Sequence, residues 1–186
     1  MNGTRSSIQV ANVLPDSPHC VVWRSDAENP DASWLIQDGL AKCGATSNGL
    51  DGSCSLTVNL VLYVEIESTL NNYACFPHGQ ASENQQHKFT VDQPQPSSNS
   101  WTAYIDGNSY EHNGFAQYLI AESSEHTGTD SCSGNWGGIG TFSQSTAWQR
   151  WIKSSLTWFT VQSDYLLSPS CWIATGGPPN TFSFSR

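Results

Sequence analysis

The sequence predicts an all-β protein, an antiparallel jelly-roll β-sandwich, and three observations lead to this prediction. Short runs of alternating apolar and polar residues recur along the chain, which is the period of half-buried strands. Clusters of Gly, Asn, Asp and Pro separate these runs and are typical of turns. Only 12% of the 186 residues are charged, while eight tryptophans supply large core side chains. About ten to twelve short strands in this arrangement are typical of a sandwich or a jelly roll.

The predicted strands follow one another with no clear helix between them. The first half of the chain has strands at residues 8–14, 20–24, 33–40, 55–68, 71–76 and 87–92. The second half has strands at residues 101–106, 115–121, 139–143, 158–163, 171–175 and 181–185. Residues 145–154 are the only run compatible with a helix, and we expect a single helical turn there. Strands of the same style flank the polar loop 93–99, so we interpret residues 1–186 as one domain.

The longest predicted strand, residues 55–68, has two different faces. One face is apolar and is predicted to join the core; it carries Leu56, Val58, Leu60, Leu62, Val64 and Ile66. The other face is polar with an aromatic residue in it, and it carries Thr57, Asn59, Val61, Tyr63, Glu65 and Glu67. This alternation predicts a strand with one side in the core and the other side polar, with an aromatic residue in it.

Residues 101–126 combine a predicted hairpin with a group of ionisable side chains. The first strand turns at residues 106–108, Asp-Gly-Asn, where glycine takes the positive φ that a tight turn requires. A later strand, residues 115–121, leads into an acidic patch that begins at Glu122. The patch is thus predicted to follow the end of a strand, where functional sites are often built.

The charge balance excludes several classes of partner. The formal net charge is −9 and the isoelectric point is near 4.7. No Lys/Arg cluster is present to neutralise phosphates, which argues against nucleic acid and anionic membrane surfaces. The longest apolar run, residues 60–64, is too short to cross a membrane. Dispersed histidines and the absence of a C-x-x-C motif leave no metal-site spacing, so we expect neither a metal nor another cofactor.

Six cysteines form an even set at positions 20, 43, 54, 75, 132 and 171. An even number without metal-site spacing predicts three disulfides, which places the protein in an oxidising compartment and therefore outside the cell. We expect one bond between Cys43 and Cys54, because it closes a Gly/Ser/Asn-rich loop, and another between Cys132 and Cys171. The remaining connectivity is open, since six cysteines allow fifteen pairings.

Carboxylates and amides are the residue types that remain for chemistry. No serine lies in a Gly-x-Ser-x-Gly turn, and no cysteine is predicted to be free. Glu65 with Glu67, and Glu122 with Glu125, are pairs of the kind that general acid and base catalysis uses. For any one of these residues, a place on a solvated sheet face is the more common alternative.

The order of several short motifs resembles that of glutamic peptidases of the eqolisin and neprosin type. Those proteins typically carry a W-V-x-V strand, an (I/L)-Q-x-G element, a Y-x-E strand, a W-x-x-x-I-D-G hairpin and an A-x-x-x-E segment on a lectin-like jelly roll. The corresponding segments here, over roughly residues 10–143, are CVVW, SWLIQDGLAKC, LYVEIES, HKFTV, WTAYIDG and GFAQYLIAESSEHTG. Each motif is short, and the resemblance depends on their order and relative spacing.

The resemblance implies a hydrolase that cleaves polypeptides at acid pH. Its catalytic pair is a glutamate, which activates water and then protonates the leaving amine, and an amide that positions the water and stabilises the oxyanion. Gln37 matches the family's glutamine, and Glu122 is the best match to its glutamate. Substrate-binding residues of the cleft, by the same resemblance, are Trp23, Trp34, Tyr63, Glu65 and Trp101.

The phase of the strand before Glu122 leaves an alternative open. An Ala-Glu-Trp element of the family aligns with residues 116–118, which would place Gln117 on the catalytic position. In an uninterrupted strand, Gln117 and Glu122 point to opposite faces, so only a bulge near Ala121 would change which of them faces Gln37.

A non-catalytic extracellular module is the competing hypothesis. Eight tryptophans and many amide side chains suit the stacking and hydrogen bonding of a glycan, although an ordinary sandwich core uses tryptophans equally well. Jelly rolls serve as enzymes, carbohydrate binders and building blocks of self-assembling surfaces, so the fold alone does not decide between these functions.

Overall fold

The computed structural model describes the chain in segments. These are residues 3–11, 13, 15, 20–28, 35–44, 58–67, 73–93, 100–113, 120–127, 139–143, 149–152, 157–160, 173–176 and 182–185. The strands after residue 110 are described by their backbone and register, without their side chains. No helix occurs among the described residues, which confirms the all-β prediction.

The strands are short and follow the chain in order. Those of the first half are β1 (Gly3–Ala11), β2 (Cys20–Glu28), β3 (Leu35–Cys43), β4 (Val61–Glu67), β5 (Tyr73–Gln80), β6 (Gln86–Asp92), β7 (Ser100–Ile105) and β8 (Asn108–Asn113). Those of the second half are β9 (Ile120–Thr127), β10 (Ile139–Ser143), β11 (Gln149–Ile152), β12 (Thr157–Thr160), β13 (Ile173–Gly176) and β14 (Phe182–Ser185).

Two antiparallel sheets contain these strands. The nine-stranded sheet has the order β13-β14-β10-β1-β6-β7-β8, with β11 pairing β1 and β12 pairing β11. The five-stranded sheet has the order β5-β4-β3-β2-β9. The edge pairing of β9 with β2 joins segments about a hundred residues apart in sequence, and so brings the acidic residues of β9 next to the first motifs of the chain.

The main core lies between the two sheets. Ile8, Phe89 and Trp101 from the nine-stranded sheet belong to one buried cluster with Trp23 and Leu40 from the five-stranded sheet. Two polar contacts cross this core as well. The hydroxyls of Ser6 and Ser25 are 2.5 Å apart, and the Asp38 carboxylate accepts a hydrogen bond from the backbone N–H of Thr90 at 3.2 Å. These contacts give partners to the two hydroxyls and to Oδ2 of Asp38, which burial would otherwise penalise.

The other face of the five-stranded sheet is buried too. Its second cluster comprises Cys20, Val22, Ala41, Cys43, Val61 and Tyr63. The alternative that Glu65 and Glu67 are solvated residues of a sheet face is therefore wrong. Glu65 is 2% exposed and Glu67 is 5% exposed, although both lie on the face away from the main core. Two buried carboxyl groups on one strand need partners, which marks this face as a place where chemistry is concentrated.

Several predicted elements differ in detail from the observed ones. The hairpin at residues 100–113 is confirmed, and its turn has positive φ at Asp106 (51°) and Gly107 (87°). The helical turn within residues 145–154 is wrong where described, because β11 pairs with β1 and β12 and so gains its hydrogen bonds from the sheet. Val58 lies before β4 and is 55% exposed, outside the core.

The disulfide of Cys43 also corrects a prediction. Cys43 is bonded to Cys20 and not to Cys54, because β2 and β3 pair so that the two residues stand directly opposite, with Cα atoms 4.0 Å apart. Cys75 is disulfide-bonded as well, and the described part of the chain contains no free thiol. Cys132 and Cys171 lie outside the described residues. Among the described residues, no helix has the length and apolarity that crossing a membrane requires.

Candidate functional site

A single row of polar residues runs across the five-stranded sheet. Glu65 of β4 stands opposite Gln37 of β3, Gln37 stands opposite Asp26 of β2, and Asp26 stands opposite Glu122 of β9. Directly opposed residues of antiparallel strands share one sheet face, so these positions form one continuous line, which we call the polar row. The row lies on the face away from the main core.

Gln37 is held in the polar row by a hydrogen bond. Its side-chain nitrogen Nε2 donates to Oε2 of Glu65, and both side chains are buried, with 2% exposure each. The other end of the amide, Oε1, is buried without a hydrogen-bond partner in the described protein. A buried carbonyl oxygen of this kind is an acceptor ready for a water or for a substrate N–H. The hydrogen bond thus aims one side of the amide and leaves the other side for a ligand.

Asp26 occupies the middle of the polar row and was missed by the sequence prediction, which ended the strand at Arg24. The Asp26 side chain is fully buried and forms an ion pair with Arg24, Nε to Oδ2 at 3.1 Å. Strand β2 continues to Glu28, so Asp26 lies inside a sheet and not in a loop. The sequence did contain a signal for a longer strand. Arg24 and Asp26 have opposite charges and are two residues apart, so in a strand they share a face and can form an ion pair.

The register of β9 places Glu122 two strands from Gln37. Neighbouring strands are about 4.8 Å apart, so the two backbones are separated by roughly 10 Å with Asp26 between them. Glu122 lies in the same phase as Gln37, whereas Glu125 stands opposite Trp23 in the other phase. Gln117, the alternative glutamine, lies outside the described residues, as does any bulge before Ile120. The sharing of one water by Gln37 and Glu122 stays a prediction.

Strand β2 passes so close to Gly39 of β3 that no other residue fits at this position. A Cβ atom placed on Gly39 would lie 2.2 Å from the backbone oxygen of Trp23 and 2.9 Å from Cα of Arg24. Real Cβ atoms do not approach backbone atoms so closely, so only glycine lets β2 and β3 come together here. Asp26 and Gln37 are the next opposed pair along these strands in the same phase, so Gly39 helps to set their separation.

Tyr63 lies on the same face as the polar row, two residues before Glu65. It is fully buried, and its hydroxyl has no hydrogen-bond partner among the described residues. Burial raises the pKa of the Tyr63 phenol well above its usual value; Arg24 opposes this effect, and the carboxyl groups of Glu65, Asp26 and Asp38 add to it. A protonated phenol is a hydrogen-bond donor, so Tyr63 adds a donor beside Gln37 and Glu65.

The remaining predicted substrate-binding residues lie elsewhere. Trp23 and Trp101 are 0% and 1% exposed and belong to the core between the sheets, so the five-stranded sheet separates both from the polar row. Trp34 lies outside the described residues. The residues that the structure brings to the polar row are thus Gln37, Glu65, Tyr63 and, by register, Glu122, together with Asp26.

The groups around the polar row suit proton transfer. Three positions of the row carry carboxyl groups, which are able to take up and release protons. The described residues contain no group of three His, Cys, Asp or Glu side chains that could hold a metal ion. The chemistry that this arrangement offers is general acid and base catalysis next to an oriented amide.

Two solved structures of glutamic peptidases are similar to this chain in fold. In its structure the chain is similar to a scytalido-glutamic peptidase with a peptide-based transition-state analogue, with a TM-score of 0.59 and 12% sequence identity; the match covers 99% of this chain and 91% of that one. It is also similar to SCP-B, an eqolisin-family peptidase in a complex with the tripeptide Ala-Ile-His, with a TM-score of 0.54, 12% identity and the same coverage.

The chain shares the fold of the glutamic peptidases. No protein-family model matches the sequence, and no curated protein matches it. At 12% identity the likeness concerns the arrangement of strands, and the function has to be argued from the residues themselves. The polar row lies across the five-stranded sheet of this fold, and three of its four residues, Gln37, Glu65 and Glu122, are ones that the sequence motifs single out.

Proposed function

We propose that the protein is a glutamic endopeptidase that hydrolyses polypeptides with water activated between Glu122 and Gln37. The observation that supports this most strongly is the register of β2, β3 and β9, which puts both residues in one row on one face. A fold shared with two peptidases supports the same reaction class. Polypeptide is the proposed substrate because the two peptidases with a similar fold were solved with a peptide-based transition-state analogue and with a tripeptide.

The proposed mechanism assigns a separate task to each residue. The Glu122 carboxylate takes one proton from water, while Oε1 of Gln37 accepts a hydrogen bond from the O–H that remains, and the water oxygen attacks the peptide carbonyl carbon. The Gln37 amide keeps one N–H for the oxyanion after donating the other to Glu65. Glu122 then returns the proton to the leaving nitrogen, the C–N bond breaks, and a carboxylic acid and an amine are released.

Asp26 and Glu65 serve as positioning residues in this scheme. Glu65 orients the amide through the observed hydrogen bond. Asp26 stands between the two proposed catalytic residues in register and is held there by its ion pair with Arg24. We propose acid pH for this reaction because the sequence motifs resemble those of glutamic peptidases. Disulfides at Cys20–Cys43 and at Cys75 support secretion, because such bonds persist in oxidising compartments.

Cleavage of an unfolded protein tests the proposal. Reduced and alkylated casein-type substrate is incubated with the wild-type protein from pH 3 to pH 7, and new peptide termini are counted by mass spectrometry. We expect cleavage at the acid end that disappears in Glu122→Gln and in Gln37→Ala. Glu83→Gln is the matched control, because it changes a carboxyl to an amide at a half-exposed site paired with Lys42 at 3.5 Å. Absence of cleavage at every pH, or equal cleavage by Glu122→Gln, would refute the proposal.

A further inference from the structure

The outer face of the nine-stranded sheet carries a pocket that the peptidase proposal does not use. Its cavity has a volume of about 230 Å³ and is lined by Arg5, Lys88, Thr90, Asp92, Tyr104 and Gly107. Arg5, Thr90 and Tyr104 stand opposite one another across β1, β6 and β7, so they form a row of their own. Lys88 and Asp92 flank Thr90 two residues away on either side along β6. We call this site the outer pocket.

The outer pocket is on the opposite side of the sheet from the core. The residues that alternate with its lining, Val91 and Ala103 among them, are fully buried between the sheets. Strand alternation therefore turns Thr90 and Tyr104 outward. The outer pocket and the polar row belong to different sheets, and the core separates them.

Cationic charge is concentrated in the outer pocket of an otherwise acidic protein. The chain has 7 Lys and Arg residues against 16 Asp and Glu residues, and two of the seven line this pocket. Arg24 and Lys42 are committed to ion pairs with Asp26 and Glu83. Lys88, in contrast, has no ion-pair partner among the described side chains, so its ammonium group is available to a ligand.

We propose that the outer pocket binds a carboxylate group of a small ligand. The ammonium of Lys88 supplies the available charge, and the guanidinium of Arg5, which interacts with Asp92, adds to the positive potential of the pocket. The hydroxyls of Thr90 and Tyr104 lie in the same row and are able to donate to the same oxygens. Asp92 also lines the pocket and interacts with Arg5. In this proposal, its carboxyl group accepts hydrogen bonds from hydroxyl or amide groups elsewhere on the ligand.

The cavity is large enough to hold one unit of a ligand. Pockets for drug-sized molecules begin at about 300 Å³, so 230 Å³ accommodates a single sugar or amino-acid unit. Two sources present a carboxylate on such a body, a chain-terminal amino acid and an acidic sugar. The geometry assigns the carboxylate, and the two arms of the experiment below identify its source.

The protonation of Asp92 makes binding dependent on pH. Burial raises the pKa of Asp92 to about 6, with Arg5 opposing the shift. Below that pH the pocket loses its negative charge and keeps both cations, so an anion is bound more tightly. Two other titratable groups lie near the pocket, Tyr104 on β7 and Asp106 in the turn after β7. The Asp106 carboxylate accepts hydrogen bonds from the backbone N–H of Lys88 and from the ring of His87. In register, Gln149 of β11 stands opposite Arg5 and Glu111 of β8 stands opposite Thr102.

Titration by NMR tests this inference. The amide resonances of Thr90 and Gly107 are followed in ¹⁵N-labelled protein as N-acetylglycine or methyl glucuronide is added at constant ionic strength. N-acetylglycinamide and methyl glucoside are the neutral controls. We expect saturable shifts with at least one carboxylate and none with its neutral control. The arm that saturates at the lower concentration identifies the ligand class, and equal saturation of both means that the carboxylate alone is recognised.

Variants locate the binding to the outer pocket. Lys88→Gln removes an exposed cation and should weaken the binding about five-fold or more, whereas Lys42→Gln, distant from the pocket, should leave it unchanged. Asp92→Asn should remove the tightening between pH 7.5 and pH 5. Shifts that are equal with the neutral controls, that do not saturate, or that survive Lys88→Gln at full strength would overturn the inference. None of these outcomes depends on peptidase activity.

Discussion

The side chain of Gln37 is oriented by Glu65, because its Nε2 donates a hydrogen bond to the Glu65 carboxylate on the neighbouring strand. Both groups are buried, so the bond is protected from competition with solvent. The consequence is a fixed assignment of the two ends of the amide. The nitrogen points along the row toward Glu65, and the oxygen remains for a ligand on the same sheet face.

Removing the Glu65 carboxyl should therefore impair catalysis without removing a catalytic group. We expect Glu65→Ala to lower kcat by about a hundred-fold, since misplacing a catalytic group by about 1 Å costs that much. Glu65→Gln should lose less, because its amide oxygen still accepts from Gln37. Separate measurement of kcat and KM checks this, with Glu83→Gln as control. Equal kcat in Glu65→Ala and wild type would show that the hydrogen bond is incidental.

Substitution of Gly39 should disturb the spacing of β2 and β3. The new Cβ of Gly39→Ala meets the Trp23 backbone oxygen, which no side-chain rotation can relieve. We expect a loss of about 1–3 kcal/mol in the free energy of unfolding, typical of overpacking, together with lower activity. Gly107→Ala is a useful comparison, because it faces open space and its cost comes from its φ of 87° alone. Urea unfolding of both variants measures the difference. Unchanged activity in Gly39→Ala would contradict the role of this spacing.

The protein should be more stable in acid than at neutral pH. Asp92 has a folded pKa of about 6 against a usual value of 3.8, so the folded state binds its proton more tightly than the unfolded state does. This contribution is complete below pH 3.8 and is lost as the pH rises through 6, up to about 3 kcal/mol in total. Burial raises the pKa of Asp38 as well, which acts in the same direction.

Unfolding by urea at pH 4, 5, 6 and 7 measures this dependence. Asp92→Asn should flatten the curve between pH 4 and pH 6, while Glu83→Gln should leave its shape unaltered. A stability that rises over this interval in the wild type, or that falls equally in Asp92→Asn, would mean that Asp92 does not control it.

The Cys20–Cys43 disulfide should contribute to stability and to the site. It joins the first residue of β2 to the last residue of β3, which are the two central strands of the polar row. Closing a loop of this length stabilises by about 3 kcal/mol in the chain-entropy description. The double variant Cys20→Ser/Cys43→Ser should lose about that amount in urea unfolding. A loss well under 1 kcal/mol would show that strand pairing alone holds β2 and β3 together.

Much of the fold could be predicted from local pattern. Alternation gave the strands around Trp23, Ile36 and Val64, and the Asp106-Gly107 step located the hairpin. Local pattern failed where pairing across the chain decides the structure. Residues 149–152 look compatible with a helix but gain strand partners in β1 and β12, and Cys43 finds Cys20 because β2 and β3 align there.

The candidate site was predictable only in part, for the same reason. Gln37 and Glu65 could be identified from their motifs, but their hydrogen bond depends on the register of β3 and β4. Asp26 was missed because the strand was ended too early at Arg24. The phase of Glu122 could not be deduced, since it depends on the pairing of β9 with β2, which no local signal specifies.

A double-variant cycle of Gln37 and Glu122 tests the central proposal most directly. The value of kcat/KM for one peptide at acid pH is measured for the wild type, Gln37→Ala, Glu122→Gln and the double variant. Residues that act on the same water lose their effect together, so we predict that the double variant is no more than a few-fold slower than the slower single variant. Two losses that multiply, or a Glu122→Gln variant as active as the wild type, would contradict the dyad.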